Sequence, residues 1–297
     1  MPIPRYPDFV PLELGFKDCL HPGLSLTPDG VSEFTFSLLY LFRNKYKYRV
    51  SRDCSPNGGF IISGEQPAIS PVKTFFMTPY GAPKQDVLES LFKTHDYWKN
   101  ISESVLSPVQ EELEKRGVIF AEDRDNFDYL YFRKDLATLT GKKYHRKKNL
   151  LNQFLNTYPV HEHKSMTAQF IPAALEVLER WRQGREDAGD YEMAKEALAM
   201  FDSLCLRGAV FFVSGKPAAY CLGESVAKGK MFAIHFEKGI DEDKGIYQFM
   251  NKTFASALPE FFTYINREQD LGSEGLRQAK TSYRPSGFVR KYTGVLA

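Results

Sequence analysis

Arg207-Gly-Ala-Val-Phe-Phe-Val-Ser214 and Met231-Phe-Ala-Ile-His-Phe-Glu-Lys238 bracket the stretch that decides the fold of this chain. Between them lie a Gly215-Lys216 turn, a strand at 218–227 and a Lys-Gly-Lys turn at 228–230. Runs of β-branched and aromatic residues separated by glycine turns predict antiparallel strands. An acidic loop follows. Ile246, Phe249, Met250 and Phe254 then recur at helical spacing and predict a helix over 245–257. A strand at 262–268, a helix at 274–283 and a strand pair at 287–296 close the chain. The order β-β-β-α-β-α-β is an α+β arrangement, in which an antiparallel meander feeds a crossover helix.

Working back towards the N-terminus, two helices are predicted at 172–182, with Leu175, Leu178 and Trp181 on one face, and at 191–204. Asp135 reads as the N-cap of a helix that runs through the basic stretch 142–148 and ends at Pro159; Leu150, Leu151, Phe154, Leu155 and Tyr158 form its apolar face. Before it come a strand over 127–132, a strand over 118–122, a helix over 107–116 and a helix opened by Pro83. Residues 31–76 read as strands, FTFSLLYLF (34–42), YKYRVSR (46–52), FIISG (60–64) and VKTFFM (72–77), with a Pro-Asn-Gly-Gly turn at 56–59. Residues 1–30 are proline-rich and loop-like. A boundary near 159–165 divides the chain into units at 1–160 and 161–297, the second expected to carry the functional site. A short echo supports two related halves: Tyr129-Leu130 with Asp135-Leu136, and Tyr264-Ile265 with Asp270-Leu271, 135 residues apart.

The strand order resembles that of the GNAT acyltransferase fold. Ala279, Tyr283, Gly287 and Phe288 keep a spacing common at the end of that fold, although Leu276 stands where asparagine is frequent. The strings EDRDNFDYLYFRKDLATLTGKKYHRKKN, HFEKG and INREQDLGSEGLRQAK resemble a bacterial domain family of unknown function, related to the C-terminal catalytic domain of phosphatidylglycerol lysyltransferases. The resemblance covers most of the chain. It implies two fused GNAT-like units, each a mixed, mostly antiparallel sheet flanked by helices. It also implies transfer of an aminoacyl group from aminoacyl-tRNA to an amine or hydroxyl acceptor, and a role for Lys148 and Asn149 at the family's Lys/Arg-Asn position.

The 297 residues carry 39 basic and 37 acidic side chains, and 43% are apolar. This is globular composition, neither disordered nor disulfide-dense. No apolar run is long enough to cross a membrane. Cys19, Cys54, Cys205 and Cys221 form no CxxC pair and have no histidine at zinc-ligand spacing, so no metal site is expected. The reading is a cytoplasmic protein, with work at the inner-membrane surface left open.

Several residues could carry chemistry. Strand alternation groups Phe232, Ile234 and Phe236 on one face of 231–238, and His235 with Glu237 on the other. Glu237, partly buried and raised in pKa, would be the base that deprotonates the acceptor; its alternative is a structural ion pair. His235 is the second catalytic candidate. The resemblance to GNAT enzymes implies that Tyr283, at the position where they protonate the leaving group, does so here; its alternative is a core tyrosine. Tyr264, Asn266, Glu268 and Asp270 alternate onto one face, Asn266 and Glu268 as substrate contacts and Asp270 as contact or helix cap. Arg277, Lys280 and Arg284 form a basic stripe able to hold a phosphate. Gly245 is the one residue of 242–247 that fits a pyrophosphate-binding loop. Asp241, Glu242 and Asp243 beside it would repel that ligand, which speaks against acetyl-CoA and leaves room for a different donor; aminoacyl-tRNA and a CoA thioester are the two donor candidates. Lys142, Lys143, His145, Arg146, Lys147 and Lys148 fit tRNA or an anionic phospholipid headgroup. The competing readings are acetyl-CoA-dependent N-acetylation and a non-catalytic module that binds RNA or anionic headgroups.

Overall fold

The computed structural model describes residues 2–53, 59–67, 70–183 and 185–297. The turn expected at 56–59 therefore lies outside the described residues, Gly59 excepted. The chain begins with β1 (Val10–Pro11), α1 (Lys17–Leu24), α2 (Phe36–Leu41), α3 (Arg43–Tyr46), β2 (Arg49–Arg52), β3 (Phe60–Gln66) and β4 (Lys73–Met77). It continues through α4 (Gln85–Thr94), β5 (Tyr97–Ser102), α5 (Glu103–Leu106), α6 (Gln110–Lys115), β6 (Val118–Glu122), β7 (Asp128–Phe132), α7 (Arg133–Thr138), α8 (His145–Thr157) and β8 (His161–Ser165). It ends with α9 (Ile171–Arg182), α10 (Tyr191–Ala199), β9 (Arg207–Val213), β10 (Lys216–Val226), β11 (Met231–Gly239), α11 (Ile246–Ala257), β12 (Tyr264–Asn266), α12 (Glu274–Thr281), β13 (Gly287–Val289) and β14 (Lys291–Leu296).

Two compact units result. Unit 1 is Met1–Asp128, Gln269–Gly272 and Val289–Ala297; unit 2 is Tyr129–Glu268 and Ser273–Phe288. Among the described residues, unit 1 is built on a seven-stranded sheet in the order β1-β2-β3-β4-β5-β14-β6, and unit 2 on one in the order β13-β7-β12-β11-β10-β9-β8. β4 and β5 run parallel in the first, β11 and β12 in the second, joined by the crossover helices α4 and α11. This is the α+β class with two fused GNAT-like units expected from the sequence.

The connectivity departs from the expected boundary. β7 follows β6 in the chain but lies between β13 and β12, and β14 follows β13 but lies between β5 and β6. Each sheet thus takes its inserted strand from the opposite half of the chain. Residues 129–160 belong to unit 2, and 289–297 to unit 1. The sequence echo does not mark the repeat either, because Tyr129-Leu130 and Tyr264-Ile265 lie on adjacent strands of one sheet, with Ile265 opposite Tyr131.

Three local expectations also change. FTFSLLYLF forms α2 rather than a strand. Every residue from Phe36 to Leu41 is buried, so the run has no readable period, and the Thr35 hydroxyl caps the helix by accepting from Leu38 N at 3.2 Å. Asp135 lies inside α7, where its carboxylate accepts from Lys143 Nζ at 2.8 Å and Tyr144 OH at 3.0 Å. The third change is in β11. Leu222 pairs with Phe236 and Gly223 with Ile234, so His235 is left over as a bulge. Alternation slips by one at that point. Phe232 and Ile234 join the core beneath α11 with Phe249, Met250 and Phe254, and so does Cys221, the partner of Glu237. His235 and Glu237 therefore lie on opposite faces of the sheet.

Candidate active site

On the face under α11, Glu237 meets Arg267. One carboxylate oxygen, Oε2, accepts from Arg267 Nε at 3.1 Å and from Nη2 at 2.5 Å. The guanidinium lies 5.1 Å from the Tyr283 ring centre and 5.9 Å from that of Tyr131. Burial works against its charge, but Glu237, then Tyr131 and Tyr283, hold Arg267 firmly protonated. Lys280, from α12, supports the arginine from its backbone side by donating to Arg267 O at 2.5 Å, and the Tyr131 hydroxyl donates to Lys280 O at 2.7 Å. Lys147, half-buried on α8, sits 4.0 Å above the Tyr283 ring centre. Burial, with Arg267 nearby, brings its ammonium down to about 8.

Three buried atoms of this cluster have no hydrogen-bond partner among the described residues: Glu237 Oε1, an acceptor, Arg267 Nη1, a donor, and the Tyr283 hydroxyl. Leaving such a group unmet costs about 1–3 kcal/mol. The Glu237–Arg267 pair thus offers one anionic acceptor and one cationic donor side by side. The Tyr283 hydroxyl is influenced by Gln248 but makes no hydrogen bond of good geometry; burial pushes it up to about 12, against the pull of Arg267. It therefore stays protonated at neutral pH.

The opposite face carries a second cluster. His235 Nδ1 lies 2.6 Å from Glu268 Oε1, and Nε2 lies 3.1 Å from Glu224 Oε1. Burial disfavours its charge, but the hydrogen bonds to Glu224 and Glu268 outweigh that and raise it to about 9. As an imidazolium donating from both nitrogens, His235 has no lone pair with which to act as a base. Asn266 is buried and accepts from Glu268 N at 2.8 Å, while Glu268 itself takes a left-handed backbone conformation that ends the strand alternation.

The remaining candidates are dispersed. Asp270 is wholly buried in unit 1, where it accepts from Gly272 N at 3.0 Å and pairs with Arg124 at 3.3 Å; the cap of α12 is Ser273. Arg277 is half-buried on α12, and Arg284 is exposed beyond its end. Gly245 caps α11 with φ 97°, and a Cβ there would stand 2.8 Å from Phe154 Cβ and 3.0 Å from Leu150 O. Its glycine is accounted for by close packing on α8, which leaves no open phosphate cradle at that point. Lys142 and Lys143 lie in a 3-10 turn ahead of α8 rather than in the helix. Lys143 is held by Asp135, whereas Lys142, Arg146, Lys148 and Asn149 are exposed. Arg267 and Tyr131 were missed by the sequence reading. For Arg267 the signal was a charged residue two positions after Ile265, on the same face by strand alternation, which in a buried setting requires a partner.

Among the described residues no three His, Cys, Asp or Glu side chains are grouped to hold a metal, and no helix is long and apolar enough to cross a membrane.

Fold and strand order define a protein of two GNAT-like units. The chain belongs to the family described as phosphatidylglycerol lysyltransferase, C-terminal, whose model matches residues 25–294. A solved structure of a conserved protein of unknown function from Bacteroides thetaiotaomicron is 30% identical, with a TM-score of 0.82, and the match covers 97% of this chain and 99% of that one. The C-terminal domain of a lysylphosphatidylglycerol synthetase candidate from Agrobacterium fabrum shares the fold at 13% identity, with a TM-score of 0.60 over 96% of this chain and 93% of that one. An uncharacterized protein of Mycoplasmoides gallisepticum is 22% identical over 173 residues, which are 56% of this chain and 54% of that protein, so the match spans about half the length of this curated relative.

Proposed function

We propose that unit 2 transfers an aminoacyl group from aminoacyl-tRNA to an amine or hydroxyl acceptor at the Glu237–Arg267 pair. The observation that carries this is the unmet acceptor and donor, Glu237 Oε1 and Arg267 Nη1, held together beneath Tyr283 and Lys147. An aminoacyl ester offers their complement, an α-ammonium that donates and a carbonyl oxygen that accepts. Glu237 holds the ammonium, and Arg267 stabilises the oxyanion as the acceptor attacks the carbonyl carbon. The new C–N or C–O bond forms, the ester C–O bond breaks, Lys147 in its neutral form takes the acceptor's proton, and Tyr283 returns a proton to the departing ribose oxygen. Glu237 thus serves as a substrate anchor rather than the base expected from the sequence, because Arg267 occupies its other oxygen. Lys142, exposed in the turn ahead of α8, and Arg146, Lys148 and Asn149, exposed on α8, meet the phosphates of tRNA or of an anionic headgroup. The family description favours lysine as the transferred group and phosphatidylglycerol as the acceptor.

An acetyl-CoA donor is disfavoured by the acidic loop Asp241, Glu242 and Asp243 ahead of α11 and by the packing of Gly245 against α8. The test is transfer of radiolabelled lysine from lysyl-tRNA to phosphatidylglycerol vesicles and to soluble amine acceptors. Arg267→Lys, which removes the forked donor, should lower the rate about 100-fold or more. With Lys147 as base, the rate should climb with pH and level off above about 8. No transfer to any acceptor, or full activity in Arg267→Lys, would overturn the proposal.

A further inference from the structure

Unit 1 contains a cavity of about 790 Å³, lined by residues that follow β4, the last residue of β5 and the loop before α2. It lies at the carboxyl ends of the parallel pair β4 and β5, where an open sheet leaves a crevice for ligands. Its size is that of a small-molecule site. Phe34, Phe60, Ile61 and Val105 give it apolar walls. Within the lining, Tyr80 packs so closely on Gly23 and Gly59 that a Cβ on either would lie 2.6 Å and 2.9 Å from the tyrosine.

Within this apolar setting the Thr78 hydroxyl is buried and has no hydrogen-bond partner among the described residues, although it belongs to the lining. Thr78 is 6% exposed, so bulk water does not satisfy it. Among the described residues the charged lining consists of the carboxylates of Asp29, which accepts from the Ser104 hydroxyl, and Asp53, and the ammonium of Lys84, which is exposed. A negative excess on low-dielectric walls disfavours an anion and favours a cation. We infer that this cavity is a second ligand site, independent of the transfer chemistry, for an amine with an apolar body that seats its polar end against Thr78 and the two carboxylates.

The test uses hexylamine, hexanol and hexanoate, which share a chain and differ in charge, titrated into the full-length protein by calorimetry at neutral pH. Hexylamine should bind at least tenfold more tightly than hexanoate, with hexanol between them. Asp29→Asn should narrow that preference, Thr78→Val should weaken hexylamine several-fold while preserving volume, and Val105→Trp should abolish binding by filling the space. Equal affinity for the three probes, no binding of hexylamine, or binding unchanged in both Thr78→Val and Val105→Trp would overturn the inference.

Discussion

His235 couples a single titration to the stability of unit 2. Its ring is wholly buried between Glu224 and Glu268 and is raised from 6.5 to about 9. A group whose folded pKa is raised contributes stability in full below its unfolded value, and that stability is lost as pH rises through the folded value. Unfolding free energy should therefore fall between about pH 6.5 and 9, by up to about 3 kcal/mol if the full shift is realised. His235→Gln should flatten that slope in urea titrations; an unchanged slope would contradict the assignment. The residue scale is also where the sequence was least informative. Glu237 and Tyr283 were identifiable because the resemblance to the GNAT fold put one on a central strand and the other at a spaced position shared with Ala279, Gly287 and Phe288. Arg267 was not, because it fell on the face opposite Tyr264, Asn266, Glu268 and Asp270, and only the structure supplies the carboxylate that pairs with it there.

Strands and helices were far more legible than faces. The C-terminal meander, α11 and the helix carrying Leu88 and Leu91 follow directly from periodicity. The bulge at His235 does not, because one extra residue leaves composition unchanged while reversing every side chain beyond it. The placement of β14 was equally hidden, since no local pattern tells a strand which sheet to enter. Its first residue, Lys291, bears on that placement. It is fully buried in unit 1, 2.7 Å from Asp128 Oδ1 and also paired with Glu33, while Gln269 donates to Asp128 at 2.6 Å. Burial opposes its charge, but Asp128 and Glu33 outweigh that and keep Lys291 protonated. Lys291→Met would leave the buried carboxylate of Asp128 and the half-buried one of Glu33 without their cation and should destabilise unit 1 by about 3–5 kcal/mol in urea unfolding. A loss below about 1 kcal/mol would show that the network does not hold the strand.

At the scale of the molecule, the two units repeat one strand order, and only unit 2 presents the Glu237–Arg267 pair. The tandem architecture was expected from the sequence, but its boundary was not, because the halves exchange a strand and chain position ceases to report unit membership. The family assignment and the fold support the transfer proposed above, and the bulge sets which face of unit 2 carries the proposed Glu237–Arg267 site. Glu237 and Glu268 test that choice directly, being carboxylates on opposite faces of one sheet. The decisive measurement is single-turnover lysyl transfer by Glu237→Gln and Glu268→Gln, at a temperature where both variants remain folded. The account predicts a loss of about 100-fold or more for Glu237→Gln and a change within about threefold for Glu268→Gln. The reverse pattern, or equal losses, would contradict the placement of the site beneath α11.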